Sequence, residues 1–248
     1  MKRELSSVQH SVVKHLVKLR QNHDYREDHG TLMIEGVKMV GELCRHHHIK
    51  RLLVLDESLI PDGLSAEETF IVPEQVINKI SGTRTPEGII AEIAIPKNGS
   101  LARLQHVVAF DGVSDPGNLG TLLRTALALG WEGVFLLDGT CDPYNDKALR
   151  AARGATFRLP WRRGTIQELK QLVADNKLRP FVADTAGVPL GEVHHEGGIL
   201  LILANEGHGP SPEAAALAEK VTIPMPGEME SLNVSAAGAI MMYAFLNR

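Results

Sequence analysis

The chain has 248 residues, of which 44% are hydrophobic and 23% charged, so it is long enough for one large globular domain or two smaller ones. No apolar run approaches the ~20 residues that a membrane-spanning helix needs, and the charged start of the sequence lacks the apolar core of a secretory signal. The two cysteines, Cys44 and Cys141, lie far apart, which argues against a disulfide framework. We therefore expect a cytoplasmic protein.

The formal net charge is −4, but the charged residues are unevenly distributed along the chain. Residues 1–51 carry ten Lys/Arg against six Asp/Glu, and residues 147–179 carry nine against two. A protein that binds a polyanion needs a basic surface in the right place rather than a basic composition. Both stretches are candidate polyanion-binding surfaces, and solvated helix faces are the alternative interpretation.

The first half of the chain alternates helix-like and strand-like segments, which predicts a small α/β domain. Helices are predicted from about Val8 to Leu19, near 37–44 and at 74–80. Strands are predicted at 31–34, 51–55, 70–73 and 88–95. Residues 96–100 have the composition of a linker, so we expect one domain over 1–97 and a second over 106–248.

The second half is a more regular α/β series, which predicts a mostly parallel sheet covered on both faces. Strands are predicted at 107–110, 133–137, 157–160, 180–183, 199–204 and 221–225. Helices are predicted at 118–129, 144–153, 165–176, 212–219 and 233–246.

Several common kinds of site lack support in the sequence. The glycine-rich fingerprints of dinucleotide-binding and P-loop proteins are absent. The adjacent histidines His46–His48, near Cys44, would point about 100° apart on a helix and converge poorly on one metal ion. Cys141 has no neighbouring histidine to activate it as a nucleophile. We expect no metal and a structural role for Cys141.

The most informative segment is 111–130, where a buried strand runs into an Asp-Pro-Gly-Asn turn and then a helix. Such a corner at the carboxyl end of a strand is where α/β proteins bind ligands. The sequence predicts Asn118 as the N-cap of the helix. Arg124 departs from the apolar stripe of that helix, which marks it as either a functional group or an ordinary surface arginine.

Two later segments repeat this pattern. The apolar strand 199–204 leads into a loop of small residues that contains Glu206. The segment 221–227 is followed by Ser231 and Asn233, either of which could cap a very apolar helix. Ala237, Ile240, Met241, Ala244 and Phe245 are predicted to share one face of that helix, packed on the core or on a second subunit.

These three segments, in this order, resemble the signature motifs of the SpoU (TrmH) family of RNA ribose methyltransferases, in the SPOUT class. The matching stretches are 111–126, 205–209 and 223–235, and the likeness covers residues 106–248. Residues 32–38 carry a weaker resemblance to the L30e-like substrate-binding domain that precedes many such catalytic domains.

The resemblance implies an α/β fold with a deep C-terminal trefoil knot, a homodimer formed through the knotted domain, and S-adenosylmethionine bound by the loops of the knot. The family often has glycine where this chain has Ala204. The residues implied in cofactor binding are Leu203, Ala204, Asn205, Glu206, Gly207, Ile223, Met225, Leu232 and Asn233.

The resemblance also implies a catalytic set: Arg124, Asn118, Glu206, Ser231 and Asn233. Arginine stays protonated in proteins, so a role as general base is costly. We expect Arg124 to bind an RNA phosphate and to stabilise the developing 2′-oxyanion. The residues expected to contact RNA are Lys14, Lys18, Arg150 and Arg153.

Methylation of ribosomal RNA, of the 23S type, is the favoured activity. The alternatives are a transfer-RNA ribose methyltransferase, a knotted enzyme that methylates a base, and an RNA-binding or assembly factor without catalysis. A housekeeping role and an antibiotic-resistance role are both compatible with these motifs.

Overall fold

The computed structural model describes residues 2–43, 45–97, 99–205 and 207–247. The chain forms two compact units, each with its own sheet. The first comprises Met1–Lys97 and Tyr144–Leu149, and the second comprises Asn98–Pro143 and Arg150–Arg248.

The first unit is built on a five-stranded mixed sheet. Its elements are β1 (Lys2–Glu4), α1 (Ser11–Gln21), α2 (His23–His29), β2 (Thr31–Glu35), α3 (Val37–Leu43), β3 (Ile49–Val54), β4 (Ala66–Ile71), α4 (Glu74–Ile80) and β5 (Ile89–Ala94), with a 3₁₀ turn at Glu57–Leu59. The strand order is β1-β4-β3-β5-β2, and β5 runs antiparallel to both of its neighbours. The predicted α/β character of this half of the chain is confirmed.

The first helix forms where the apolar spacing predicts it. The His10 side chain accepts a hydrogen bond from the Val12 N–H at 3.2 Å and caps α1. Leu16 and Leu19 are fully buried in a core that they share with residues of α4. The sequence did not predict α2, because that helix has no apolar stripe and its buried residue is Arg26.

The second unit carries a six-stranded sheet in which every described pairing is parallel. Its elements are β6 (His106–Asp111), α5 (Pro116–Leu129), β7 (Gly133–Leu137), α6 (Asp146–Ala152, whose first residues belong to the first unit), α7 (Ala155–Arg158), β8 (Trp161–Gly164), α8 (Ile166–Asn176), β9 (Arg179–Pro189), β10 (Ile199–Ala204), α9 (Pro212–Leu217), β11 (Glu219–Thr222) and α10 (Val234–Leu246). The strand order is β11-β9-β10-β6-β7-β8. Every residue of β7 and β10 is buried, as expected for strands covered on both faces. The predicted parallel sheet is confirmed.

The predicted strand at 157–160 is wrong. Gly154 adopts a left-handed conformation with φ of +86°, and the helix α7 starts directly after it. Pro160 then forces the preceding residue Leu159 into an extended conformation, which ends the helix. The strand is therefore displaced to β8, where it pairs with β7 at the edge of the sheet.

The apolar face predicted for the last helix is only partly buried within this chain, because Ile240 is 45% exposed. The helix α10 buries instead Val234, Gly238, Met241, Met242 and Phe245. A Cβ at Gly238 would lie 2.5 Å from Leu122 Cδ2 and 2.7 Å from Leu203 Cδ1, so this glycine lets α10 pack very closely on α5 and β10. Among the described residues, no helix is both long and apolar enough to cross a bilayer.

Candidate functional site

The first two motifs are tied together at the carboxyl ends of the neighbouring strands β6 and β10. The Asn205 N–H donates to Asp111 O at 3.1 Å, and the Ser211 N–H donates to Asp111 Oδ2 at 2.7 Å. The Asn205 side-chain amide donates to Gly112 O at 3.1 Å and to Ser114 Oγ at 3.2 Å. One asparagine and one aspartate therefore fix the loop after β10 against the loop after β6.

The third motif joins the first through a pair of asparagines. Asn233 Nδ2 donates to Asn118 Oδ1 at 3.2 Å, although the two residues are 115 positions apart in the chain. Asn233 is also the N-cap of α10, because its side chain accepts from the Ser235 N–H at 3.0 Å. Of the two possible caps, Asn233 is thus the one that forms, and Ser231 lines the adjacent cavity.

The predicted N-cap role of Asn118 is wrong. The cap of α5 is Asp115, whose Oδ1 accepts from the Asn118 N–H at 2.9 Å, and Pro116 occupies the first helical position. The helix therefore begins two residues earlier than predicted. Asn118 lies in its first turn, where its side chain is available to meet Asn233.

The structure places Arg124 on the exposed side of α5, away from the buried stripe of that helix. Within the part of the chain that the structure describes, nothing forms a hydrogen bond or ion pair with its guanidinium. No described contact joins Arg124 to the Asn118–Asn233 pair. Glu206, the remaining predicted catalytic residue, lies outside the described residues.

A cavity of about 430 Å³ opens beside the three joined loops, within the usual size range of small-molecule sites. The predicted cofactor-binding residues on its wall are Leu203, Ala204, Asn205, Ile223, Met225 and Leu232. Gly207 and Asn233 are not among the lining residues, and Gly207 instead donates its N–H to Asn205 Oδ1 at 2.8 Å. The structure therefore brings together residues from the second and third motifs around one space.

Sequence reasoning missed several residues of this wall, namely Ala183, Asp184, Thr185, His208, Pro210, Ala215, Lys220, Thr222, Val234, Ala237 and Met241. Asp184 and Lys220 are the most informative, because they form an ion pair with an Nζ–Oδ2 distance of 2.8 Å. The available signal was a lone aspartate directly after the apolar run Phe181-Val182-Ala183, just beyond the point where the regular pairing of β9 with β10 ends.

The residues expected to contact RNA are all exposed: Lys14, Lys18, Arg150 and Arg153. The basic stretch 147–179 does not act as a single surface. Arg163 donates to the carbonyl oxygens of Thr140 and Cys141, both at 2.9 Å, and so has a structural role. Arg153 adopts a left-handed conformation with φ of +52° immediately before Gly154.

The alternative sites weighed above have no support among the described residues. Burial, followed by the negative charge of Asp142, raises the pKa of the Cys141 thiol to about 11, so that the thiol is protonated at neutral pH. Since α3 ends at Leu43, His46 and His47 lie in a turn rather than on a helix. No cluster of described residues could hold a metal ion, and Cys44 lies outside them.

The first unit contains a polar network that the sequence did not predict. Glu92 is fully buried in β5, and its carboxylate contacts His15 Nε2 at 3.0 Å and Arg51 Nη1 at 2.7 Å. His15 Nδ1 in turn lies 2.9 Å from Tyr25 Oη, and Lys18 Nζ lies over the Tyr25 ring at 5.3 Å from its centre. Lys18, predicted to contact RNA, thus projects from an aromatic and basic surface.

Comparison with family models gives two matches. The model of the SpoU rRNA methylase family matches residues 105–243. The model of an MRM3-like substrate-binding domain matches residues 10–91. Together the two models cover most of both units.

Similar proteins and structures extend over almost the whole chain. The 23S rRNA (guanosine(2553)-2′-O)-methyltransferase RlmP of Bacillus subtilis is 36% identical, and the match covers 97% of this chain and 98% of that protein. The crystal structure of an AdoMet-bound rRNA methyltransferase from Sinorhizobium meliloti is 27% identical, with a TM-score of 0.88 over 98% of this chain and 97% of that one. A putative RNA methyltransferase of the TrmH family from Porphyromonas gingivalis is 29% identical, with a TM-score of 0.85 over 96% and 98% of the two chains.

Proposed function

Because the chain belongs to the SpoU rRNA methylase family, we propose that it transfers a methyl group from S-adenosylmethionine to a ribose 2′-hydroxyl of ribosomal RNA. The observation that carries this proposal is the joining of all three motifs. Asn205 ties the second motif to the first, and Asn233 ties the third to the first, beside one cavity.

The cavity suits this cofactor in size and in chemistry. Leu203, Ile223 and Leu232 give apolar surface for a nucleobase, while Asn205 and Ser231 add polar groups to the wall. Ala204, which replaces a common glycine, lies on the wall with a side chain that takes little space. When bound, S-adenosylmethionine supplies a methyl group already activated on a positively charged sulfur.

The protein therefore has to position the ribose and stabilise charge rather than activate the donor. The exposed guanidinium of Arg124 binds an RNA phosphate and stabilises the 2′-oxygen as it loses its proton, which passes to a phosphate oxygen or to water. The Asn118–Asn233 pair fixes the start of α5 and the start of α10 against each other, and Ser231 and Glu206 complete the site.

Methyl transfer can be tested with purified protein, radiolabelled S-adenosylmethionine and deproteinised total RNA from cells that lack this gene. We expect label in the 23S fraction, recovered after nuclease digestion as a 2′-O-methylated nucleoside. Label on ribose in transfer RNA would favour a transfer-RNA ribose methyltransferase, and label on a base would favour the base-methylating alternative. No label in any fraction, with RNA still bound, would favour an assembly factor.

The finer architecture is also part of the proposal. We infer a substrate-binding domain of L30e type over 1–97 and a methyltransferase domain over 106–248, whose C-terminal segment is threaded as a trefoil knot. Support comes from the contribution of both the loop after β10 and the loop before α10 to one cavity, and from the close packing of α10 on α5 and β10 at Gly238.

The basic residues Arg150 and Arg153 provide a test of the RNA surface. We expect the double charge reversal Arg150→Glu/Arg153→Glu to weaken RNA binding and to reduce the slope of log K against log[salt] by roughly 1–2, since each lost phosphate contact releases about one counterion fewer. The measurement is RNA affinity across a salt series.

The matched control is Lys79→Glu/Arg103→Glu, which makes the same charge change at exposed positions outside both basic stretches. Equal effects of the two double variants would mean that only net charge matters, and would contradict a specific role for Arg150 and Arg153.

A homodimer formed through α10 is the proposed assembly. Tyr243 and Ile240 are 59% and 45% exposed and lie three residues apart on the side of the apolar helix α10 that faces away from its buried residues. We expect Ile240→Glu to convert the dimer into a monomer in light scattering, because a charge would be buried in the interface. Lys170→Glu on α8 should leave the mass unchanged, and a monomeric wild-type protein would refute the assembly.

A further inference from the structure

We infer that the ion pair Asp184–Lys220 in the cavity wall recognises the amino-acid group of the cofactor, with Asp184 binding its α-ammonium and Lys220 its α-carboxylate. This inference rests on the proposed function. The inference identifies two charged residues in the cavity wall, which would favour a ligand with a zwitterionic amino-acid group over the nucleoside alone.

The first argument is that an irregularity in β9 places Asp184 at the cavity. The pairing of β11 with β9 jumps from Lys220↔Val182 to Val221↔Val188, so residues 183–187 leave the regular ladder. Three of these five residues, Ala183, Asp184 and Thr185, line the cavity. An irregular segment inserted in a parallel sheet thus directs a carboxylate into a ligand-sized space.

The return of the chain to the sheet depends on Gly187. A Cβ at this position would lie 2.4–2.6 Å from backbone atoms of Lys220 and Val221, which do not yield as a side chain would. The glycine therefore allows β9 to pass directly against β11 after the irregular segment. This close approach keeps Asp184 and Lys220 next to each other at the cavity.

The second argument is chemical complementarity. Among the described lining residues, Asp184 and Lys220 supply all of the fixed charge, and His208 is the one other titratable side chain. The remainder of the wall is apolar or neutral. A ligand with an ammonium and a carboxylate on one carbon matches a carboxylate beside an ammonium, since each charge can meet its opposite.

Both side chains retain hydrogen-bonding capacity. Asp184 Oδ2 accepts from Lys220 Nζ at 2.8 Å and Oδ1 accepts from the Ala186 N–H at 2.8 Å, which leaves further lone pairs on both oxygens. The Lys220 ammonium has three N–H donors, of which this ion pair uses one. The Lys220 hydrogen bond, followed by that from Ala186, lowers the pKa of Asp184, so the carboxylate is ionised at neutral pH.

The structure offers a comparison that separates a ligand-binding role of this pair from a purely structural one. A second ion pair, Arg179–Glu219, joins the same two strands with an Nη2–Oε2 distance of 2.6 Å and does not line the cavity. It offers a matched control, because it has the same charge types and links the same strands.

The test compares two ligands by isothermal titration calorimetry. S-adenosylhomocysteine has the amino-acid group, and 5′-methylthioadenosine keeps the nucleoside but lacks that group. We expect Asp184→Asn and Lys220→Met each to weaken S-adenosylhomocysteine binding by about tenfold or more and to leave 5′-methylthioadenosine binding nearly unchanged. Arg179→Met should change neither affinity.

Equal losses for both ligands, or no loss for S-adenosylhomocysteine, would overturn the inference. If Asp184→Asn fails to fold, the more exposed Lys220→Met decides the question. A wild-type protein that binds neither ligand would instead contradict the proposed function itself, so the two failures are distinguishable.

Discussion

Replacement of Arg124 by alanine is expected to lower the rate of methyl transfer by roughly 10³-fold. A loss of this size is typical when one preorganised group that stabilises a developing oxyanion is removed. The side chain lies exposed on α5, and no described residue forms an ion pair with it, so its removal should leave the fold intact. S-adenosylmethionine affinity should change by less than about twofold, because Arg124 does not line the cavity. Single-turnover transfer and calorimetry measure the two quantities separately.

Two further variants sharpen this prediction. Arg124→Lys keeps the charge but loses the planar fork, so we expect an intermediate rate. Arg103→Ala removes an exposed arginine from the loop before β6 and should retain the wild-type rate. Wild-type turnover by Arg124→Ala would refute the assignment, and a parallel loss of cofactor affinity would point to a role in binding.

The parts of the site predicted from the sequence are those encoded by local patterns. An apolar strand that ends in Asp-Pro-Gly-Asn marks a turn and a helix start, whatever the rest of the chain does. The predicted N-cap residue of α5 was wrong, because Asp115 and Asn118 are both good capping residues and the position of Pro116 decides between them.

The parts that could not be predicted depend on contacts between distant segments. The hydrogen bond from Asn233 to Asn118 and the ion pair of Lys220 with Asp184 join residues far apart in the chain. The displacement of β8 to Trp161–Gly164 depends on where the edge of β7 is free to pair. Propensity does not report which strand edge a segment will meet, so such features appear only once the sheet order is known.

Glu92 is another feature that depends on contacts between distant segments, although a single carboxylate in the apolar strand β5 is recognisable in the sequence. Its cross-strand neighbour in β3 is Arg51, and His15 approaches from α1. Burial alone would raise the Glu92 pKa, but hydrogen bonds from His15 and Arg51, with the charge of His15, more than offset it and lower the pKa from 4.5 to about 2. The folded state therefore binds this proton more weakly than the unfolded chain does.

This difference in proton binding makes the free energy of unfolding depend on pH. The contribution of Glu92 is fully present above pH 4.5, where the carboxylate is ionised in both states, and it is lost as the pH falls towards 2. A shift of this size corresponds to about 3 kcal/mol of unfolding free energy. We expect Glu92→Gln to lower stability by about that amount at pH 7 and to remove this part of the acid dependence, as measured by urea unfolding between pH 7 and pH 2.

The neighbouring Glu68 makes a matched control, because it also contacts Arg51, at 3.1 Å, but its side chain is 32% exposed. Glu68→Gln should cost less than about 1 kcal/mol, since solvent screens a partly exposed pair. The acid dependence of this variant should remain close to that of the wild type. If Glu92→Gln retained the full loss of stability between pH 4.5 and 2, the acid sensitivity would have to come from other carboxylates, and the buried network would have no special part in it.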